Sequence, residues 1–335
     1  MTPTVGPPAA AVSSARAPQS HIAHLDGWRG VAILLVLQGH FLAVPWLETD
    51  RLGVDIFFGL SGLLMSRILF ANRMPLARFY KRRAARILPA FLLFVCAVFG
   101  VAALRGDARP WSEFAFTALF LRTYLPATPD IWNSGLPIDH LWSLNVEEHC
   151  YLLLGLLTTA AILRGREAWV LASAGLCSML LFYVYANSDA MRGTSFELRT
   201  EVAASFLLTS AAYCQVKEPL DRFVKPWMPV AAMLLAALAY LPHASWWLGT
   251  AVAPVALAFA VNHLAQAPRA LVALLSARPL GMIGLWSYSL YLWQQPFFAY
   301  QRWLPQGTAL AGTALVALAS YYLWERPWRE WINSW

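Results

Sequence analysis

Apolar residues run along this chain in long continuous blocks, without the period-2 alternation of strands or the single apolar stripe of surface helices. Blocks of spanning length cover about 30–47, 52–70, 87–104, 140–163, 168–186, 197–214, 226–241, 246–264, 280–300 and 308–325. A helix needs about 20 such residues to cross roughly 30 Å of hydrocarbon. The pattern therefore predicts an all-α integral membrane protein with about ten transmembrane helices. A shorter block, 113–125, contains Arg122 and reads as either an eleventh span or a re-entrant segment.

Positive charge arbitrates between these counts. Ten spans with the N- and C-termini cytoplasmic place 18 of the 25 Lys and Arg in or beside inner segments, as the positive-inside rule requires. An eleventh span would move Arg164 and Arg166 outside and invert everything after them. Residues 105–139 then form one long external loop. Residues 1–22, rich in Ala, Pro and Ser, are expected to be a disordered cytoplasmic tail, residues 23–330 the membrane domain, and 331–335 a cytoplasmic end.

Composition supports the class. The chain is 59% hydrophobic and 13% charged, where soluble domains carry about a quarter charged residues. Its net charge of +7 then speaks to topology and anionic head groups, and no nucleic-acid signature accompanies it. Cys96, Cys150, Cys177 and Cys214 lie scattered in apolar blocks and are expected to be buried small hydrophobes; no metal site is expected.

Against this background the polar residues at membrane depth stand out. The first span opens with Asp26-Gly-Trp-Arg29 and places His40 inside its apolar run. Arg29 and His40 lie about 16 Å apart along a helix, one near a face and one near the middle of the bilayer. An ionisable group there is costly and reads as functional until a packing role is found. The second span carries Asp55 and Ser61. The fourth carries Ser143, Glu147, Glu148 and Tyr151, where the 100° step puts Glu147 on one face with Ser143 and Tyr151. That favours Glu147 over Glu148 as the functional acid, with Glu148 pairing with a neighbour. The ninth carries Tyr291, Trp293 and Gln294.

Between the second and third spans, residues 67–86 hold seven Arg or Lys and no acid, ending Arg82-Arg83-Ala-Ala-Arg86. Topology alone requires fewer. The cluster suits a polyphosphate such as the nucleotide end of coenzyme A. A histidine that takes and returns a proton, steadied by a carboxylate, suits activation of a hydroxyl. A thioester held from below and a hydroxyl entering from above would meet at His40.

Six motifs occur in order: Arg-x10-His (29–40), Val-Asp-x-Phe-Phe-x-Leu-Ser-Gly (54–62), Arg-x-x-Arg-Ile-x-Pro (83–89), Trp-Ser-Leu-x-Val-Glu-Glu-x-x-Tyr (142–151), Ser-Tyr-x-Leu-Tyr-Leu-Trp (287–293) and Glu-x-Pro (325–327). Together they resemble the acyltransferase-3 family of integral membrane O-acyltransferases, over about 26–330. The resemblance implies ten spans in a bacterial-type inner membrane, acyl-CoA (commonly acetyl-CoA) as co-substrate with no bound cofactor, and a hydroxyl acceptor. That acceptor is usually a cell-envelope saccharide, lipid-linked or not, and less often a lipid or macrolide-type metabolite. It implies His40 as base with Arg29 its partner near the donor, and Glu147 or Glu148 as the supporting acid. It also implies Arg83 and Arg86, with Arg82 and Ser61 beside them, on the donor side. Asp26, Asp55, Trp142, Ser143, Tyr151, Tyr291, Trp293 and Gln294 are the remaining acceptor-side or supporting candidates. Where this chain has Gln294 the family often has His, and glutamine cannot shuttle a proton. From another class, a proton-coupled transporter would also carry intramembrane His and Glu, yet the internal repeats expected of one are not visible.

Overall fold

The computed structural model describes residues 23–42, 44–107, 109–126, 131–132, 134–160, 162, 164–305 and 307–335, and every regular element among them is helical. The tail expected over 1–22 lies outside the described residues. In chain order the helices are α1 (Ala23–Leu42), α2 (Thr49–Ser66), α3 (Leu76–Leu104), α4 (Trp111–Ala118), α5 (Trp142–Thr159), α6 (Glu167–Ala186), α7 (Thr200–Ala203), α8 (Ser205–Val216), α9 (Trp227–Ala237), α10 (Ala253–Asn262), α11 (Arg269–Leu275), α12 (Arg278–Tyr300), α13 (Thr308–Ser320) and α14 (Arg326–Ser334).

Among the described residues, three helical runs are long and apolar enough to cross a bilayer by themselves: Thr49–Ala71, Leu76–Leu104 and Glu167–Ala186. A fourth forms if Arg269–Leu275 and Arg278–Trp303, bent by 53° at their junction, are taken as one broken span. Helices α1 and α5, of 20 and 18 residues, fall outside this set. They carry the ionisable residues singled out above, and α9 and α10 are simply shorter than the apolar blocks that contain them. The protein is a multi-pass helical membrane protein.

The segment 113–125 departs from a plain external loop. Helix α4 has eight residues, about 12 Å of rise, far short of a crossing. Beyond it the backbone turns back: Phe120, at φ 60°, stacks its ring 4.4 Å from that of Phe91, midway along α3. With its amide correctly oriented, the Asn145 side chain on α5 accepts from the backbone N–H groups of Arg122 and Thr123 at 3.2 and 3.3 Å. Irregular backbone at membrane depth persists only where protein satisfies its polar groups, and Asn145 does so here. Residues 119–125 thus fold back onto α3 and α5 and do not extend α4 to spanning length. The cysteines also differ from expectation: Cys150 is buried, but Cys96 and Cys177 lie exposed on outward faces of α3 and α6. An apolar block in a membrane protein can meet lipid as readily as core.

Helix α1 packs between α2 and α12, while α2 packs against α8 and α10. Glycine sets the closest approach. A Cβ on Gly284 of α12 would lie 1.9 Å from the Asp26 carbonyl oxygen of α1, and one on Gly27 would lie 1.7 Å from the Leu275 oxygen. Small residues at such crossings let membrane helices touch backbone to backbone. Gly284→Val should therefore push α1 from α12, at a cost of about 1–3 kcal/mol or more. The expected result is a lower thermal midpoint and less monodisperse protein after detergent extraction. Gly281→Ala, on the same helix with open space around it, should leave both unchanged.

Candidate active site

The α1–α2–α12 contact, with α3 and α5 closing the sides, encloses a cavity of about 750 Å³. Its lining divides by chemistry. Arg29 from α1, Arg67 from the π-helical turn after α2, and Arg82, Arg83 and Arg86 from the start of α3 gather in it, with Asp26 beside them. Further in, Ser61, Ser143, Glu147, Tyr151, Tyr288 and Tyr291 contribute hydroxyls and one carboxylate. The remainder is apolar, including Phe57, Phe58, Met65 and Met74.

The i, i+4 spacing on α5 puts Ser143, Glu147 and Tyr151 along one wall, as their common face predicts. Ser61 donates to Glu147 Oε1 at 2.5 Å and accepts from the Tyr151 hydroxyl at 3.1 Å. Ser143 and Tyr291 share a hydrogen bond of 2.7 Å, and the Tyr291 hydroxyl also donates to the His140 carbonyl at 2.8 Å. Arg83 lies with its guanidinium 3.7 Å from the Tyr151 ring centre and 3.9 Å from Glu148 Oε1. Glu148 thus faces Arg83 while Glu147 faces the cavity. Glu325, from the Glu-x-Pro motif, is buried in a second π-helical turn, accepting from Ser289 at 2.7 Å with Arg329 at 3.6 Å.

His40 does not line this cavity. Its Nδ1 is hydrogen-bonded to Gln294 Oε1, one helical turn after Tyr291 on α12, and its ring stacks on Phe298 with centroids 4.4 Å apart. Its Nε2 lies 3.8 Å from Asp50 Oδ2. The expected polar set therefore assembles as two neighbouring groups, Ser61–Glu147–Tyr151 in the cavity and His40–Gln294 outside its lining. Tyr291 and Gln294, three residues apart on α12, join them. Among the described residues no hydrogen bond or ion pair links Glu147 or Glu148 to His40, and Asp50 is the carboxylate recorded beside it.

Of the other candidates, Asp55 is buried away from the cavity. Arg51 donates to it at 3.1 Å, one turn earlier on α2, and Tyr240 donates at 2.8 Å. Both contacts fall on Oδ2 and give the carboxylate a structural role, while Oδ1 is buried without a hydrogen-bond partner. Trp142 is buried edge-on to Phe58 beneath the Arg51 guanidinium, and Trp293 packs edge-on to Phe94. Neither lines the cavity; Trp142 backs the lining residue Phe58. Sequence reasoning did not single out Asp50, Arg67 or Tyr288. Arg67 belonged to the noted basic run, but nothing local marks Asp50 as a partner of His40.

A family model described as "Acyltransferase domain" matches residues 22–325. Among curated relatives, O-acetyltransferase OatA of Staphylococcus aureus is 28% identical over 344 residues, covering 91% of this chain and 57% of the relative. "Putative membrane-bound transacylase BcsY" of Komagataeibacter xylinus is 27% identical, covering 94% and 85%. "Putative peptidoglycan O-acetyltransferase YrhL" of Bacillus subtilis is 29% identical over 308 residues, covering 82% and 48%. The chain thus spans little more than half the length of the OatA relatives. No solved structure matches it.

Proposed function

The chain belongs to the acyltransferase-3 family, and from that premise we propose that it moves an acyl group, most simply acetyl, from acyl-CoA to a hydroxyl of a cell-envelope saccharide. The carrying observation is the cavity's division into an arginine-rich part and a hydroxyl- and carboxylate-lined part that includes Tyr291, one helical turn before Gln294, the hydrogen-bond partner of His40. Phosphates select guanidinium groups because the planar fork donates two parallel hydrogen bonds. Arg29, Arg67, Arg82, Arg83 and Arg86 suit the nucleotide end of the donor, and the apolar lining suits its pantetheine arm.

In this reading His40 Nε2 takes the proton of the acceptor hydroxyl. The oxygen attacks the thioester carbonyl, the C–S bond breaks, and the proton passes from the imidazolium to the departing thiolate. The Ser61–Glu147–Tyr151 group lines the path of the thioester and holds it by hydrogen bonds. The saccharide acceptor is supported by the similarity to OatA, named an O-acetyltransferase, and to YrhL, named a putative peptidoglycan O-acetyltransferase. The charge distribution supports ten crossings with the arginine-rich end and both termini facing the cytoplasm, in an inner membrane.

The test uses membranes containing the full chain, supplied with acetyl-CoA labelled in the acetyl group and with envelope glycan. Label entering glycan as an alkali-labile ester is the expected result. Folded, correctly inserted protein that labels no glycan from acetyl-, propionyl- or succinyl-CoA would overturn the proposal.

A further inference from the structure

We infer that Gln294 is a positioning residue that holds the proton of His40 on Nδ1 and leaves Nε2 as the basic nitrogen. The catalytic meaning rests on the acyltransferase reading; the placement of the proton does not.

The argument begins with what glutamine can offer. Gln294 is fully buried, and its side-chain oxygen faces His40 Nδ1. A carbonyl oxygen only accepts, so the hydrogen bond requires Nδ1–H, and the lone pair of the neutral ring falls on Nε2. With the amide reversed, its NH2 would donate to Nδ1 and the proton would move to Nε2. Neither nitrogen would then have a free lone pair, and the ring could not serve as a base.

The surroundings of Nε2 agree. Asp50 Oδ2, 3.8 Å away, is beyond hydrogen-bond reach but close enough to favour a proton arriving on Nε2. The Asp50 side chain is 44% exposed and the imidazole 17%, so this is the side from which a hydroxyl can approach. Phe298, one turn after Gln294 on α12, fixes the ring plane, with 19° between the two rings. One helix thus sets both the ring's orientation and its tautomer. An amide does not ionise, so the same proton arrangement holds at any pH at which His40 is neutral. A second histidine at 294 could donate or accept and would leave the tautomer undetermined.

Nitrogen NMR of the purified full chain labelled with 15N-histidine in nanodiscs tests this directly. Of seven histidines, the signals missing in His40→Gln belong to His40. We expect a protonated, pyrrole-type Nδ1 and a pyridine-type Nε2 in the wild type. The same pattern is expected in Gln294→Glu, whose carboxylate accepts the same hydrogen bond. In Gln294→Leu the pattern should shift toward the Nε2–H form. Acyl transfer should fall about 10- to 100-fold in Gln294→Leu, the loss seen when the partner orienting a functional imidazole is removed, with KM for the donor unchanged. Gln294→Glu should recover most of it. A pyrrole-type Nε2 in the wild type, or an unaltered pattern in Gln294→Leu, would overturn the inference. Should the wild type transfer no acyl group to any acceptor, the functional reading fails while the tautomer remains readable.

Discussion

His40→Ala should lower acyl transfer by about 10²- to 10⁴-fold, the contribution typical of a positioned general base. The alanine removes the hydrogen bond to Gln294, the stack on Phe298 and the group beside Asp50, but no residue of the cavity wall. Donor binding should therefore persist. Isothermal titration with a non-hydrolysable acyl-CoA analogue should give a Kd within about threefold of wild type while turnover collapses. If turnover and affinity fall together, His40 belongs to the donor site and the division between cavity and base is wrong. If neither falls, the proton is taken elsewhere.

Arg83→Met should show the opposite split. Arg83 holds two roles: its guanidinium lies over Tyr151, and it is the cation beside the half-buried Glu148. Loss of a charged hydrogen bond to a phosphate costs about 1.5–3 kcal/mol, which at about 1.4 kcal/mol per factor of ten weakens donor affinity roughly 10- to 100-fold. Removing one partner of a buried ion pair also destabilises the fold, by about 3–5 kcal/mol. The double variant Arg83→Met, Glu148→Gln separates the two effects. Thermal stability should return toward wild type because no buried charge is left alone, while donor affinity stays weak. Affinity that recovers along with stability would show that Arg83 acts on the fold alone.

Much of this site could be read from spacing. Ser143, Glu147 and Tyr151 share a face because they are four apart, and a helix allows no other arrangement. The arginines of residues 67–86 converge because they end one helix and begin the next. What could not be read depends on how separate helices face one another. Asp55 looked functional because a lone carboxylate at depth is costly; its cost is met by Arg51 four residues earlier, visible locally, and by Tyr240, 185 residues away, which is not. Asp50 drew no notice in the sequence, and its place beside His40 follows from the turn between α1 and α2. The fold-back of the chain after α4 is held by one amide, Asn145, capping backbone that a hydropathy pattern does not register.

Ser143 and Tyr291, hydrogen-bonded to each other, line the cavity, and His40 does not. A continuous wet passage from one face of a membrane to the other would conduct protons and dissipate the gradient that energises the cell. A hydrogen-bonded tyrosine–serine pair one helical turn from the partner of His40 would interrupt such a passage, provided it parts only while the thioester is being attacked. An enzyme in this position has to be an insulator as well as a catalyst.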